Sequence, residues 1–118
     1  MQFVVDQHDG FSIVTIPGDV LDAHNTKQFK ADLQPFLSPG CRVVLDMGQL
    51  RFVDSSGIGA MVSCLRQVRT VEGELKLCAL TKPVRAVFEL VRMHQLFETF
   101  STREDAIRAL SHKQASAA

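Results

Sequence analysis

At 118 residues the chain has room for one ordinary domain, in which folding buries roughly two thirds of the surface exposed by the unfolded chain. Hydrophobic residues supply 46% and charged residues 22%, a balance that excludes intrinsic disorder over the body of the chain. Thirteen basic and thirteen acidic residues cancel, which removes the electrostatic drive toward nucleic acid or anionic membrane and leaves a protein as the fitting partner. Apolar runs such as 43–45 and 77–80 fall far short of the ~20 residues needed to span a bilayer. The opening Met-Gln-Phe-Val-Val-Asp lacks the charged and apolar regions of a secretory signal, so the cytoplasm is the expected compartment. Cys41, Cys64 and Cys78 are odd in number and widely spaced, which denies both a disulfide framework and a CxxC metal or redox pair. They read as small hydrophobes, and neither a metal nor a cofactor is called for.

In chain order, Phe3-Val-Val-Asp-Gln-His and Phe11-Ser-Ile-Val-Thr-Ile are two β-prone runs around Asp9-Gly10, a hairpin turn signal. Pro17-Gly18 breaks the second run. From Asp22 onward Thr26, Phe29, Leu33 and Leu37 share one helical face, and Pro35 ends or kinks that helix. Arg42-Val-Val-Leu-Asp-Met reads as a strand buried on both faces. A second amphipathic helix starts near Ser56 and carries Ile58, Met61, Val62, Leu65 and Val68, with Glu72-Gly73 as its stop. Leu75-Lys-Leu-Cys-Ala-Leu is the next strand, and Thr81-Lys-Pro opens a third helix with Val84, Val87, Phe88 and Val91 on one stripe. Leu96-Phe-Glu-Thr-Phe is a short last strand, and Ser101 with Glu104 forms a capping box for a final helix bearing Ile107 and Leu110.

The order ββαβαβαβα predicts an α/β fold: a mixed sheet with an opening hairpin, later strands parallel, and about four helices. Residues 1–112 form the domain and 113–118 a flexible tail, with no repeat, linker or second domain. One core over the sheet is expected from Phe29, Leu33, Val43, Val44, Leu45, Ile58, Met61, Val62, Leu65, Leu77 and Phe88.

Chemistry concentrates in Phe52-Val-Asp-Ser-Ser-Gly-Ile-Gly-Ala, where two hydroxyls and a carboxylate stand at a helix start among residues too small to cover them. The plain reading is that Asp54, Ser55 or Ser56 caps the helix and that Gly57 and Gly59 allow close packing. One cap suffices, however, and each helical glycine costs ~1 kcal/mol against alanine, so access to this spot is the further reading. The helix is expected to turn Gly59, Ala60 and Ser63 outward as contact surface. A phosphate at a helix N-terminus is tolerated by free N–H groups and the dipole, yet it adds ~−2 charge to a small neutral surface, which makes an interface switch.

Val44-Leu-Asp-Met together with Phe52-Val-Asp-Ser-Ser-Gly-Ile-Gly resembles the signature of STAS-domain anti-sigma-factor antagonists of bacterial sporulation and stress response. The resemblance covers roughly residues 3–110. It implies a STAS fold and a non-enzymatic regulator with Ser55, directly after Asp54, as phosphoacceptor and Ser56 as its neighbour. It also implies partners: a histidine-kinase-like anti-sigma factor serine kinase, which brings the ATP and binds only the unphosphorylated form, and a metal-dependent PP2C-type phosphatase. In that pattern the unphosphorylated antagonist sets the sigma factor free. The family's loop aspartate carries over to Asp22, with Asp19 as the other candidate because Gly18-Asp-Val-Leu-Asp has one residue more than the common spacing. Asp22 is either an N-cap of the first helix or an interface residue. The partner-binding set implied is Asp22, Asp54, Ser55, Ser56, Gly57, Gly59, Ala60 and Ser63.

Two other functions are weighed. A non-switching STAS scaffold or ligand-sensing module is disfavoured by the retained Asp-Ser-Ser-Gly. A Ser-dependent hydrolase needs a base among His8, His24, His94 and His112, which are scattered, and Gly-x-Ser-x-Gly, the P-loop motif and His-Glu-x-x-His are all absent.

Overall fold

The computed structural model describes residues 1–117, with side chains as far as Leu110. Gly10, at φ 91°, closes the hairpin between β1 (Val4–His8) and β2 (Phe11–Thr15). A two-residue strand β3 (Val20–Leu21), helix α1 (Thr26–Leu33), strand β4 (Arg42–Asp46) and a second two-residue strand β5 (Phe52–Val53) follow. Helix α2 (Ser55–Thr70), strand β6 (Glu74–Cys78), helix α3 (Lys82–Leu90), strand β7 (Glu98–Phe100) and helix α4 (Arg103–Ala117) complete the chain. The ββαβαβαβα order is present; β3 and β5 are additions too short to show a strand period in sequence. The tail expected at 113–118 lies outside the residues described with side chains.

Five strands pair in the order β1-β2-β4-β6-β7, with β1 antiparallel to β2 and every other neighbouring pair parallel. Side chains alternate across a strand, so β4 sends Val43 and Leu45 to one face and Val44 to the other. Val43 and Leu45 join Val14, Phe29, Leu33, Met61, Leu65, Leu77 and Phe88 in the main core. Val44 instead packs with Ile13, Cys78, Ala106 and Leu110 on the α4 side. The single core expected from sequence is therefore two, divided by the sheet. Ile58 and Val62 are only partly buried, because the buried stripe of α2 runs through Gly57, Ala60, Met61, Cys64, Leu65 and Val68.

Helix ends show where short-range patterns misread the start. The N-cap position of α1 is Asn25, not Asp22. The cap of α4 is Thr102, whose Oγ1 accepts from the Asp105 N–H at 3.1 Å, one residue past the expected Ser101. Thr81 does precede α3, but its hydroxyl donates to the Leu50 carbonyl at 2.6 Å instead of capping, and so ties α3 to the loop before β5. At the foot of α2 the left-handed residue is Glu72, at φ 59°, while Gly73 is needed because a β-carbon there would lie 2.6 Å from the Cys41 Sγ.

Asp46, at the end of β4, explains why a carboxylate closes an otherwise apolar strand. One of its oxygens accepts from the Gly48 N–H at 2.9 Å, and the other accepts from Arg103 Nε at 2.6 Å. Arg103 Nη2 reaches Thr15 Oγ1 at 2.8 Å, so the first turn of α4 is pinned across β2 and β4. The carboxylate raises the Arg103 guanidinium above its ordinary value, as expected of a charge-assisted pair.

Candidate functional site

The head of α2 rests on a ledge made by β3 and β5, which pair in parallel with Val20 opposite Phe52 and Leu21 opposite Val53. The Arg51 and Phe52 N–H groups both donate to the Asp19 carbonyl, at 2.7 and 3.0 Å, and the Asp54 N–H donates to the Leu21 carbonyl at 3.2 Å. Residues 51–54 are therefore laid down against residues 19–21 before the helix begins.

Asp54 is the N-cap: its Oδ1 accepts from the Gly57 N–H at 2.9 Å. Its other oxygen accepts from the Ala23 N–H at 3.3 Å, which draws the turn after β3 against the head of the helix. One carboxylate thus performs the capping that Ser55 or Ser56 could have supplied. Both serines are exposed in the first turn, and neither hydroxyl hydrogen-bonds another described residue.

The two glycines differ. A β-carbon at Gly57 would lie 2.5 Å from the Leu21 carbonyl oxygen and 2.7 Å from Val53 Cγ1, so Gly57 is buried and serves the packing of α2 on its ledge. Gly59 is exposed, and a β-carbon there would meet nothing within 4 Å. Ser63 continues the exposed side of α2. Ala60 does not: it is 5% exposed, part of the main core, which corrects its expected outward position. Two helical turns before Gln67, which bonds Gln34 after α1, it lies on the same side of the helix as that contact.

Asp22 caps no helix. Its carboxylate accepts from the His24 N–H at 2.9 Å, and its carbonyl accepts from the Asn25 and Thr26 N–H groups at 3.1 and 3.0 Å, making a turn that presents Ala23 and His24 to solvent. The Ala23 bond to Asp54 brings this turn beside Ser55. Asp19 contributes its carbonyl to the ledge, and its side chain is exposed. Phe52, half exposed at 51%, stands at the same end of the molecule, and sequence reasoning passed over it. Its signal was the aromatic in a segment too short to bury both of its residues.

Among the residues described with side chains, nothing in this arrangement builds a nucleophile and base pair. No histidine among them hydrogen-bonds Ser55: His8 stacks on Phe11 at 4.7 Å and pairs with Asp6, and His24 lies beside Asp22 at 3.7 Å. The side chain of His112 lies outside the described residues. Burial raises the Cys41 thiol and pushes Cys64 up to about 11 and Cys78 to about 12, which keeps these sulfurs protonated and unreactive. Among the described residues no group of three or more His, Cys, Asp or Glu side chains could hold a metal ion, and no helix is long and apolar enough to cross a membrane. What the geometry offers is an exposed hydroxyl on a rigid, small-residue surface.

Known proteins share this fold. Residues 2–106 match the model of the STAS domain. BtrV of Bordetella bronchiseptica, described as an anti-sigma factor antagonist, is 36% identical over 110 residues, covering 92% of this chain and 94% of that protein. An anti-sigma F factor antagonist of Paenibacillus polymyxa is 23% identical over 112 residues, with 93% and 95% covered. The fold matches the anti-sigma factor antagonist SpoIIAA in its unphosphorylated form with a TM-score of 0.76 at 22% identity, covering 94% of this chain and 97% of that one. Its phosphorylated form, from Bacillus, matches with a TM-score of 0.67 at 22% identity, covering 92% and 99%. With the family model spanning nearly the whole chain and a full-length relative above a third identical, the chain belongs to the STAS domain family.

Proposed function

We propose that this protein is an anti-sigma factor antagonist whose binding to an anti-sigma factor serine kinase is switched off by phosphorylation of Ser55. The observation that carries the reading is the division of labour at the head of α2: Asp54 caps the helix, which leaves the Ser55 hydroxyl exposed and without a structural task. The relative described as an antagonist, and the existence of SpoIIAA in two phosphorylation states, support the same reading. Phosphoserine at the first helical position is compatible with the fold, since the first-turn N–H groups and the helix dipole favour an anion. A docked partner, in contrast, faces ~−2 of new charge that it must either repel or desolvate. Asp22, Ser56, Gly59 and Ser63 complete the docking surface, a PP2C-type phosphatase resets it, and such a partner system places the chain in the cytoplasm. The protein acts by binding, and the kinase supplies the nucleotide.

The test is phosphoryl transfer from the histidine-kinase-like ATPases of the source genome, read by intact mass. Wild type gains one phosphoryl group, Ser55→Ala gains none, and Ser56→Ala is still modified. Calorimetry with the same kinase shows Ser55→Ala bound and Ser55→Glu weakened by a hundredfold or more if the contact is desolvated. Phosphate mapped to Ser56, Ser63 or a threonine, or a Ser55→Glu protein that binds like wild type, overturns the assignment.

A further inference from the structure

The chain is neutral overall, but eight of its exposed cations have no carboxylate partner among the described residues, and four of these, Arg51, Lys82, Arg85 and Arg92, are spread before β5, over α3 and in the turn after it while the other four gather on two neighbouring helices. On the side of α4 and the β6–β7 edge, cations have carboxylate partners: Arg42 with Glu74, Lys76 with Glu98, Arg103 with Asp46 and Arg108 with Asp105. Lys27 and Lys30 on α1 and Arg66 and Arg69 on α2 are all exposed, and none has a carboxylate partner among the described residues. Arg69 donates only to the Leu96 carbonyl, at 3.3 Å.

These four cations flank one surface. Reciprocal amide bonds of 2.7 and 2.8 Å between Gln34 and Gln67 seam α1 to α2, and Lys30 is near enough to act on the Cys64 thiol of α2. Helix α2 holds no acidic residue. The acid of α1, Asp32, is held by the terminal amino group at 2.9 Å and by Gln28. Along the chain, the carboxylates that flank these helices lie beyond their ends: Asp19, Asp22 and Asp54 before them and Glu72 at the foot of α2. Between the flanking cations run Ser56, Gly59 and Ser63, whose short side chains let a partner backbone approach. The surface is continuous with Ser55.

We propose that the outer face of α1 and α2 docks an acidic element of the partner, with Lys27, Lys30, Arg66 and Arg69 as its counter-charges. The inference rests on the antagonist reading and adds the partner's chemistry. A protein fits better than nucleic acid, because four cations spread over two helices around a small-residue strip are fewer than the 6–10 phosphate contacts typical of a duplex binder. The same sorting gives the switch a second effect. A dianion on Ser55 adds negative charge to the rim of a cationic surface, so an acidic partner is repelled over the whole face as well as at the serine.

The probe is poly-L-glutamate added to ¹⁵N-labelled full-length protein at low salt, with shift changes mapped by NMR. Shifts centred on Lys27, Lys30, Arg66 and Arg69 are expected, about tenfold weaker in K30E/R66E and lost at high salt. Lys30→Gln with Arg66→Gln gives an intermediate loss and guards against a folding defect, which thermal melting checks directly. Ser55→Glu weakens the titration without moving it. Shifts centred on Arg42, Arg85 or Arg108 overturn the surface, as does tighter binding of a short DNA duplex or of anionic phosphatidylserine vesicles at equal salt. A cognate kinase that phosphorylates Ser55 yet binds K30E/R66E as tightly as wild type overturns the docking surface and leaves the serine assignment standing. If Ser55 proves not to be the acceptor, the glutamate titration is unchanged.

Discussion

Two glycines two residues apart in α2 should respond to the same substitution with opposite signs. At Gly59 the added methyl meets nothing within 4 Å, so only helix propensity acts, and Gly59→Ala stabilises by ~1 kcal/mol. In a domain of this size that raises Tm by about 3–6 °C. At Gly57 the methyl would sit 2.5 Å from the Leu21 carbonyl oxygen and 2.7 Å from Val53 Cγ1. The first of these atoms is backbone held in the β3–β5 pair and cannot swing aside. Because the nearest atom is fixed backbone, the overpacking cost lies in the upper part of the usual range, ~2–3 kcal/mol, which outweighs the ~1 kcal/mol propensity gain and leaves Gly57→Ala destabilised by about 1–2 kcal/mol. The pair should therefore differ by about 2–3 kcal/mol in urea unfolding followed by circular dichroism. Binding to the proposed partner adds a second axis: if the partner seats on the bare backbone, Gly59→Ala, though more stable, should bind more weakly. A Gly59→Ala protein that melts at or below wild type, or a Gly57→Ala protein that melts above it, refutes the reasoning.

Asp46→Ala removes the acceptor of a partly buried charge-assisted bond and strands Arg103, so it should cost about 2–3 kcal/mol, read as a lower urea midpoint. Ala60→Leu should destabilise by ~1–3 kcal/mol in the same assay, because Ala60 is packed in the core and not on the docking face. The thiols make an alkaline limit. Folding raises Cys64 to about 11 and Cys78 to about 12 from an ordinary 9.0, so their contribution is whole below pH 9 and is lost as pH rises through 11–12, where the unfolded chain has already released those protons. The urea midpoint should fall over that window, less steeply in a Cys64→Ala, Cys78→Ala variant; equal slopes would contradict the assignment.

The fold was readable because the hairpin, the central β4 run and the stripes of α2 and α3 carry strong periodic signals. Val44 was assigned to the wrong core because a continuous apolar strand announces burial on both faces without saying which residue faces which helix. Caps at Asn25 and Thr102 were missed by a few residues, since several Asn, Asp, Ser and Thr side chains compete near each start and only the three-dimensional turn selects one. At the head of α2, the Asp54 cap and the exposure of Ser55 and Gly59 were legible from the wasteful placement of two hydroxyls and two glycines. The Asp54 bond to Ala23, the Thr81 bond to Leu50 and the Arg103 bond to Asp46 join residues distant in sequence and leave no local pattern.

The contact between Asp54 and Ala23 spans 31 residues, and with the β3–β5 pair it defines the head of α2. The head of α2, the proposed docking surface, is thus assembled by loop closure across the β4 segment and has no local precursor. A peptide of α2 alone carries Ser55 but lacks the ledge that fixes its presentation. A chain still leaving the ribosome, or one cleaved between α1 and β5, offers the hydroxyl without the surface. Under the proposed function, recognition of this surface would double as a check on completed folding, since only a chain whose non-local contacts have closed presents it.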